Sequence, residues 1–165
     1  MFGIGGRSFT QTIATDMDLS YKDAEKLKVN IGNSQIKPAI SKQVNESLDK
    51  TLEVWLAGVE LALSEFEAVD HLPNRILLCG GGASLEKLVK GLETADWRKD
   101  LPFTKKPTVH HIKPSEVIGV TDSTGDITDH TFITAMGLLR VGYDTILGSG
   151  EGDSIKEKLN RLLKI

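Results

Sequence analysis

From Ile40 to Phe66 the apolar residues fall at steps of three and four: Ile40, Val44, Leu48, Leu52, Trp55, Val59, Leu63 and Phe66. This spacing holds them on one side of a helix and predicts a long amphipathic helix from Pro38 to Phe66. Pro38 suits its first turn, where no backbone N–H is required. Such a stripe packs, so Trp55 and Phe66 read as core rather than binding residues. Upstream, Phe9, Ile13, Ala14 and Met17 mark a helix opening at Ser8-Phe-Thr10, with Ser8 as its N-cap. Ser20 with Asp23 three residues on is a weak capping box and starts a second helix, Tyr21 to Val29, with Ala24 and Leu27 inward. Glu25 and Lys28 share a face of that helix, which by itself points to a solvated ion pair.

Past the long helix, Ile76 to Cys79 is a short apolar run that reads as a buried strand. Gly80, Gly81 and Gly82 follow, and Ala83-Ser84 opens a segment with Leu85, Leu88, Val89 and Leu92 at helical spacing. A strand, a glycine turn and a helix in that order can aim backbone N–H groups at an anion. The same pattern also serves as a plain tight turn in any α/β domain. Ala95 to Pro107 reads as a loop. Thr108 to Ile112 alternates as a second strand, in which His110 and His111 point to opposite faces and make a poor metal pair. Asp122, Asp126 and Asp129 lack the spacing of a calcium loop and read as turn and cap residues. Asp129 caps a helix from His130 to about Tyr143. That helix is apolar on most faces, so burial is expected, with Gly137 at a close approach to a neighbour.

The last 19 residues change character. Leu147-Gly-Ser-Gly-Glu-Gly152 reads as a flexible linker by composition. Beyond it, Ile155, Leu159, Leu162 and Leu163 form an apolar stripe flanked by Lys156, Lys158, Arg161 and Lys164. A tethered basic amphipathic helix over 153–165 can lie in a membrane interface, and anionic lipid would strengthen its hold. The alternative is a helix that folds back on the domain.

Composition narrows the picture. A length of 165 residues with 39% hydrophobic residues can build one core. The net charge of -3 argues against general nucleic-acid binding. Cys79 is the one cysteine, which excludes an internal disulfide and suits a reducing cytoplasm. No apolar run approaches the roughly 18 residues of a membrane span. Met1-Phe-Gly-Ile-Gly-Gly6 looks like the end of a strand, so a chain lacking its first half is expected.

Four stretches together resemble the second half of an actin-like ATPase. Gly5-Gly6-Arg-Ser-Phe-Thr10-Gln-Thr-Ile13-Ala14 resembles the Gly-Gly-x-x-x-Thr-x-x-Ile-Ala element of the cell-division protein FtsA and the pilus-assembly protein PilM. Ala24-Glu25-Lys-Leu27-Lys28 resembles their Ala-Glu-x-x-Lys helix. Leu77-Leu-Cys-Gly80-Gly81-Gly82-Ala83 is similar to the family's adenosine motif, with Cys79 where a Thr or Ser is more usual. His130-Thr-Phe-Ile-Thr-Ala135-Met-Gly137-Leu138 is similar to the Ala-x-Gly-Leu helix that follows.

The resemblance implies an incomplete α/β fold of the ribonuclease H-like, actin-like kind. A small mixed sheet with helices would come from 1–19 and 70–146, and an inserted mainly helical lobe from 20–69. It implies that Glu25 and Lys28 approach a ribose, and that Gly80, Gly81, Gly82 and Ala83 pack on the adenosine of ATP. The phosphate loops and the group holding Mg2+ would lie upstream, so this chain alone is expected to bind nucleotide weakly and not to hydrolyse it. The basic terminal helix favours the FtsA side of the family. The implied role is peripheral attachment to the inner face of the cell membrane, self-polymerisation and anchoring of the FtsZ tail. A PilM-like pilus scaffold is the alternative, and a sugar or acetate kinase half is a more distant one.

Overall fold

The computed structural model describes residues 2–31, 36–66 and 69–147. The linker and the basic segment read at 147–165, including Ile155, Lys156, Leu159, Arg161, Leu162 and Leu163, lie outside the described residues from 148 on. Over the described part the chain is mixed α/β and mostly helical. Five α-helices accompany a two-stranded parallel sheet.

Helix α1 spans Gly6–Asp16 and buries Phe9, Thr10, Ile13 and Ala14 on one face. Its N-cap is Gly5, in an extended conformation and without a side-chain cap. Ser8 is therefore inside the first turn rather than the cap, and its N–H meets the Gly5 carbonyl at 2.8 Å. The glycine pair supplies no side chain by which the start could be read. Asp18, with φ 52°, takes the left-handed conformation just past the helix end, which Asp tolerates better than most residues.

Helix α2 spans Tyr21–Val29. Ser20 caps it as expected, its oxygen accepting from the Asp23 N–H at 3.2 Å. Helix α3, Pro38–Ser64, is about 40 Å long at 1.5 Å per residue. Val44, Ser47, Leu48, Thr51, Leu52 and Leu56 form its buried face, and α1 packs on both α2 and α3. Trp55 is half-buried and meets the Phe2 ring edge-on, with centroids 6.3 Å apart. Phe66, expected inward, lies past the helix end and is exposed. The helix outruns the core beneath it.

Strand β1, Arg75–Leu78, pairs in parallel with β2, Thr108–His111, Ile76 opposite Val109 and Leu78 opposite His111. A parallel pair needs a crossover, and α4, Glu86–Thr94, lies within it. The helix expected to open at Ala83 starts later. Gly81–Ser84 is one 3₁₀ turn, and Leu85 then caps α4 without a side-chain bond. Gly91 brings α4 onto α3, where a Cβ would meet Leu52 at 2.9 Å. Trp97 is buried beyond α4. Its indole N–H donates to the Leu92 carbonyl at 3.1 Å, so the polar end of the ring is satisfied.

One apolar cluster joins these elements, with Phe9, Ile13, Ala24, Val44, Leu48, Leu88, Leu92 and Trp97 among its members. Asp122 ties the loop before α5, accepting from the Thr124 and Ile127 N–H groups. These bonds and that of the Thr124 hydroxyl, the strongest influence, bring its pKa down to about 2. Asp129 caps a 3₁₀ turn, His130–Phe132, that leads into α5, Ile133–Leu147.

Helix α5 departs from expectation. Among its described side chains only Ile133 and Met136 are buried, while Leu138, Leu139, Val141 and Tyr143 are all more than half exposed. High apolar content calls for a partner but does not supply one, and the described chain covers a single edge of this helix. A Cβ at Gly137 would meet nothing within 4 Å. The close approach falls at Gly119 instead, at φ 78°, where a Cβ would collide with the Arg140 guanidinium. Among the described residues no helix is long and apolar enough to cross a membrane.

Candidate functional site

The first turn of α1 and the last two turns of α2 come together around one ammonium group. Lys28 Nζ donates to the Gly6 carbonyl at 2.9 Å, to Thr10 Oγ1 at 2.8 Å and to Glu25 Oε2 at 2.8 Å. An ammonium has three hydrogens, so these acceptors use its full capacity. The Lys28 side chain is 12% exposed, against 40% for Glu25. The pair is thus more than a solvated i, i+3 contact on the helix surface.

Thr10 is fully buried at the centre of this arrangement. Its hydroxyl accepts from Lys28 and reaches both the Gly6 carbonyl, at 3.0 Å, and Glu25 Oε2. Its single proton can serve one of these at a time. Hydrogen bonds from Lys28 first, and from Thr10 second, hold the Glu25 carboxyl below its usual range. Glu25 is therefore ionised at neutral pH. Its Oε2 is clamped, while Oε1 accepts no hydrogen bond among the described residues. A half-exposed carboxylate with one oxygen fixed and the other open can accept from a ligand hydroxyl. Lys28, with every hydrogen engaged, orients that carboxylate.

The glycine turn approaches the same place from the other side. Gly80 has φ 81° and ψ 168°, a conformation that essentially only glycine adopts. Its N–H is held by the His130 carbonyl at 2.9 Å. A Cβ on Gly82 would lie 4.0 Å from the Gly6 nitrogen, and one on Gly6 would lie 3.6 Å from Lys28 Nζ. Gly6 thus stands between the Glu25–Lys28 pair and Gly82, which are 54 residues apart in sequence (82 − 28). Gly81 faces open space, and Ala83 is buried. Cys79 is exposed, its sulfur 3.9 Å from the Thr134 hydroxyl.

An open cavity of about 520 Å³ is lined by Arg7, Ser8, Gln11 and Tyr21, which neighbour the cluster residues in sequence or on the helix. Tyr21 precedes Glu25 by one helical turn and shares its side of α2. Neither Glu25, Lys28 nor the glycine turn lines that cavity. Reading by motif singled out Glu25 and Lys28 but gave no role to Thr10 or Arg7. Thr10 carried a signal, standing at the fixed place after the glycine pair. Among the described residues no three His, Cys, Asp or Glu side chains gather as a metal-binding group.

His110 and His111 do point apart. His110 meets Glu116 at 3.0 Å, and His111 reaches the Ala83 carbonyl at 2.9 Å. The unforeseen feature is the partner of His111: its ring lies against that of His130, centroids 4.4 Å apart.

No protein-family model matches the chain, and no curated protein matches it.

Proposed function

We propose that this chain carries the adenosine half of an actin-like nucleotide site and belongs to an FtsA-like adaptor that binds ATP. In this reading Glu25 accepts from the ribose hydroxyls through Oε1, Lys28 and Thr10 hold Glu25 in place, and Gly80 to Ala83 give the base and sugar a flat backbone surface. The observation that supports it is the meeting of Glu25, Lys28 and Gly82 around Gly6. A surface ion pair has no need of a buried threonine and a distant glycine turn. The Mg2+ and phosphates of ATP would be held mainly by the upstream half of the fold. The open apolar side of α5 and the two-stranded sheet are in keeping with a fold that is completed by further strands and helices.

The rest of the proposal rests on the resemblance and on the basic stripe of 153–165. The protein would polymerise on the inner face of the cell membrane, bind anionic lipid through Ile155, Leu159, Leu162, Leu163, Lys156 and Arg161, and anchor the FtsZ tail on the lobe built from α2 and α3. A PilM-like pilus scaffold remains the second reading, favoured by the same motifs and lacking the need for the basic terminal stripe.

Calorimetry with ATP tests the nucleotide claim. Glu25→Ala is expected to weaken binding by about 1–3 kcal/mol, the cost of removing a hydrogen-bonding charge. Affinity unchanged by Glu25→Ala and by Lys28→Ala returns the two residues to a structural pair. Co-sedimentation with anionic vesicles separates the two family readings. Removal of 153–165 abolishes binding if the chain is FtsA-like, and an intact chain that ignores the vesicles even when clustered speaks for PilM.

A further inference from the structure

The His111–His130 contact lines a second cavity of about 460 Å³ that the nucleotide reading does not use. Lys113, Ser115, Thr128 and Asp129 complete its polar lining. Each imidazole is fixed from behind by the residues of the glycine turn. Ala83 offers a carbonyl, which can only accept, so His111 Nε2 must carry the hydrogen of their 2.9 Å bond. His130 Nε2 lies 3.1 Å from Ser84 Oγ. Both Nδ1 atoms are left without a hydrogen bond among the described residues.

The charges that face the pair come from two segments. Lys113 follows β2, and Asp129 precedes α5. The glycine turn contributes only the Ala83 carbonyl and the Ser84 hydroxyl. Glu116 is occupied by His110 and by the Lys113 N–H, and it does not line the cavity. Asp129 Oδ1 accepts from the Thr131 hydroxyl at 2.5 Å and the Thr131 N–H at 2.9 Å. These bonds hold its carboxyl below the usual range and keep it charged. The fixed charges of Lys113 and Asp129 therefore cancel, and the imidazoles decide the sign of the cavity. With both protonated the cavity is cationic, lined by two imidazolium rings, Lys113 and the hydroxyl residues Ser115 and Thr128. With both neutral only Lys113 attracts an anion, and Asp129 opposes it.

We propose that this cavity is a proton-gated site for a tetrahedral oxyanion of the phosphate class, held by His111, His130 and Lys113. Binding is stronger with the imidazoles protonated than with them neutral. Because both rings lean on Ala83 and Ser84, occupancy also fixes the back of the glycine turn.

Inorganic sulfate is the suitable probe, since it stays a dianion across the range in which histidine titrates. It is titrated into the full chain while the ring signals of His111 and His130 are followed by NMR. The expected result is a saturable shift of both rings, at least about tenfold weaker at pH about 8 than at pH about 5.5. Lys113→Ala, on the exposed segment after β2, weakens binding at both pH values and leaves the fold intact. His130→Gln keeps a donor for Ser84 and weakens binding chiefly at pH about 5.5, since His111 is then the one imidazole left in the cavity. Parallel titrations with inorganic phosphate and with phosphoserine identify the source. Tighter binding of the ester assigns the site to a phosphomonoester, and equal or weaker binding assigns it to the free ion. No saturable ring shift at millimolar sulfate, equal affinity at both pH values, or indifference to Lys113→Ala overturns the proposal. None of these readouts involves Glu25 or Lys28, so the site stands or falls apart from the nucleotide reading.

Discussion

Thr10 shows how much one side chain can fix. It is fully buried, and its hydroxyl touches Lys28, Glu25 and the Gly6 carbonyl at once. Thr10→Val keeps the shape and deletes the hydroxyl. It should cost about 1–3 kcal/mol in denaturant unfolding, because charged groups at the edge of the core lose a partner. The Glu25 carboxyl titrates below its ordinary value in the folded state, chiefly through Lys28. A depressed carboxyl stabilises the fold above the unfolded pKa, and that contribution is lost as pH falls through the folded one. The stability gap between the wild type and Glu25→Gln should thus be full at neutral pH and shrink below about pH 4. A gap that is constant down to acid pH would mean that the contact with Lys28 contributes nothing. The pairing of Glu25 with Lys28 was legible from a spacing of three on a helix. Its burial was not, since the buried partner, Thr10, belongs to another helix.

Among the elements, those with local signals were readable and those that depend on neighbours were not. Ser20 and Asp23 announce α2, and the three- and four-residue steps announce α3 up to Ser64. The start of α1 is hidden because a Gly5–Gly6 opening offers no capping side chain. Helix α5 reads as buried from its Leu, Val and Ile content, yet burial is a property of the partner as well as of the helix. Leu138→Gln and Leu139→Gln should each change the stability of this chain by less than about 0.5 kcal/mol. Met136→Ala, at a buried site of the same helix, should cost about 2–5 kcal/mol. Thermal or urea unfolding distinguishes the two, and equal costs would mean that the outer face of α5 is covered in solution. At the glycine turn, Gly80→Ala forces a side chain into a conformation with φ 81° and should cost about 1–3 kcal/mol.

For the whole molecule the organising fact is convergence on Gly6. The helix pair α1–α2 and the turn after β1 are separated by the whole of α3, and they meet at the first residue of α1. No periodicity in the sequence reveals this. The motifs hinted at it only as a set, by resemblance to proteins in which such segments share a nucleotide. The most direct test is an NMR titration of adenosine into the full chain, following the Gly81 and Gly82 amides together with Thr10, Glu25 and Lys28. If the two arms form one site, all five report the same saturation curve, weak and on the order of millimolar, and Glu25→Ala abolishes it. Shifts confined to one arm, or none at all as adenosine reaches its solubility limit, would contradict a shared adenosine site.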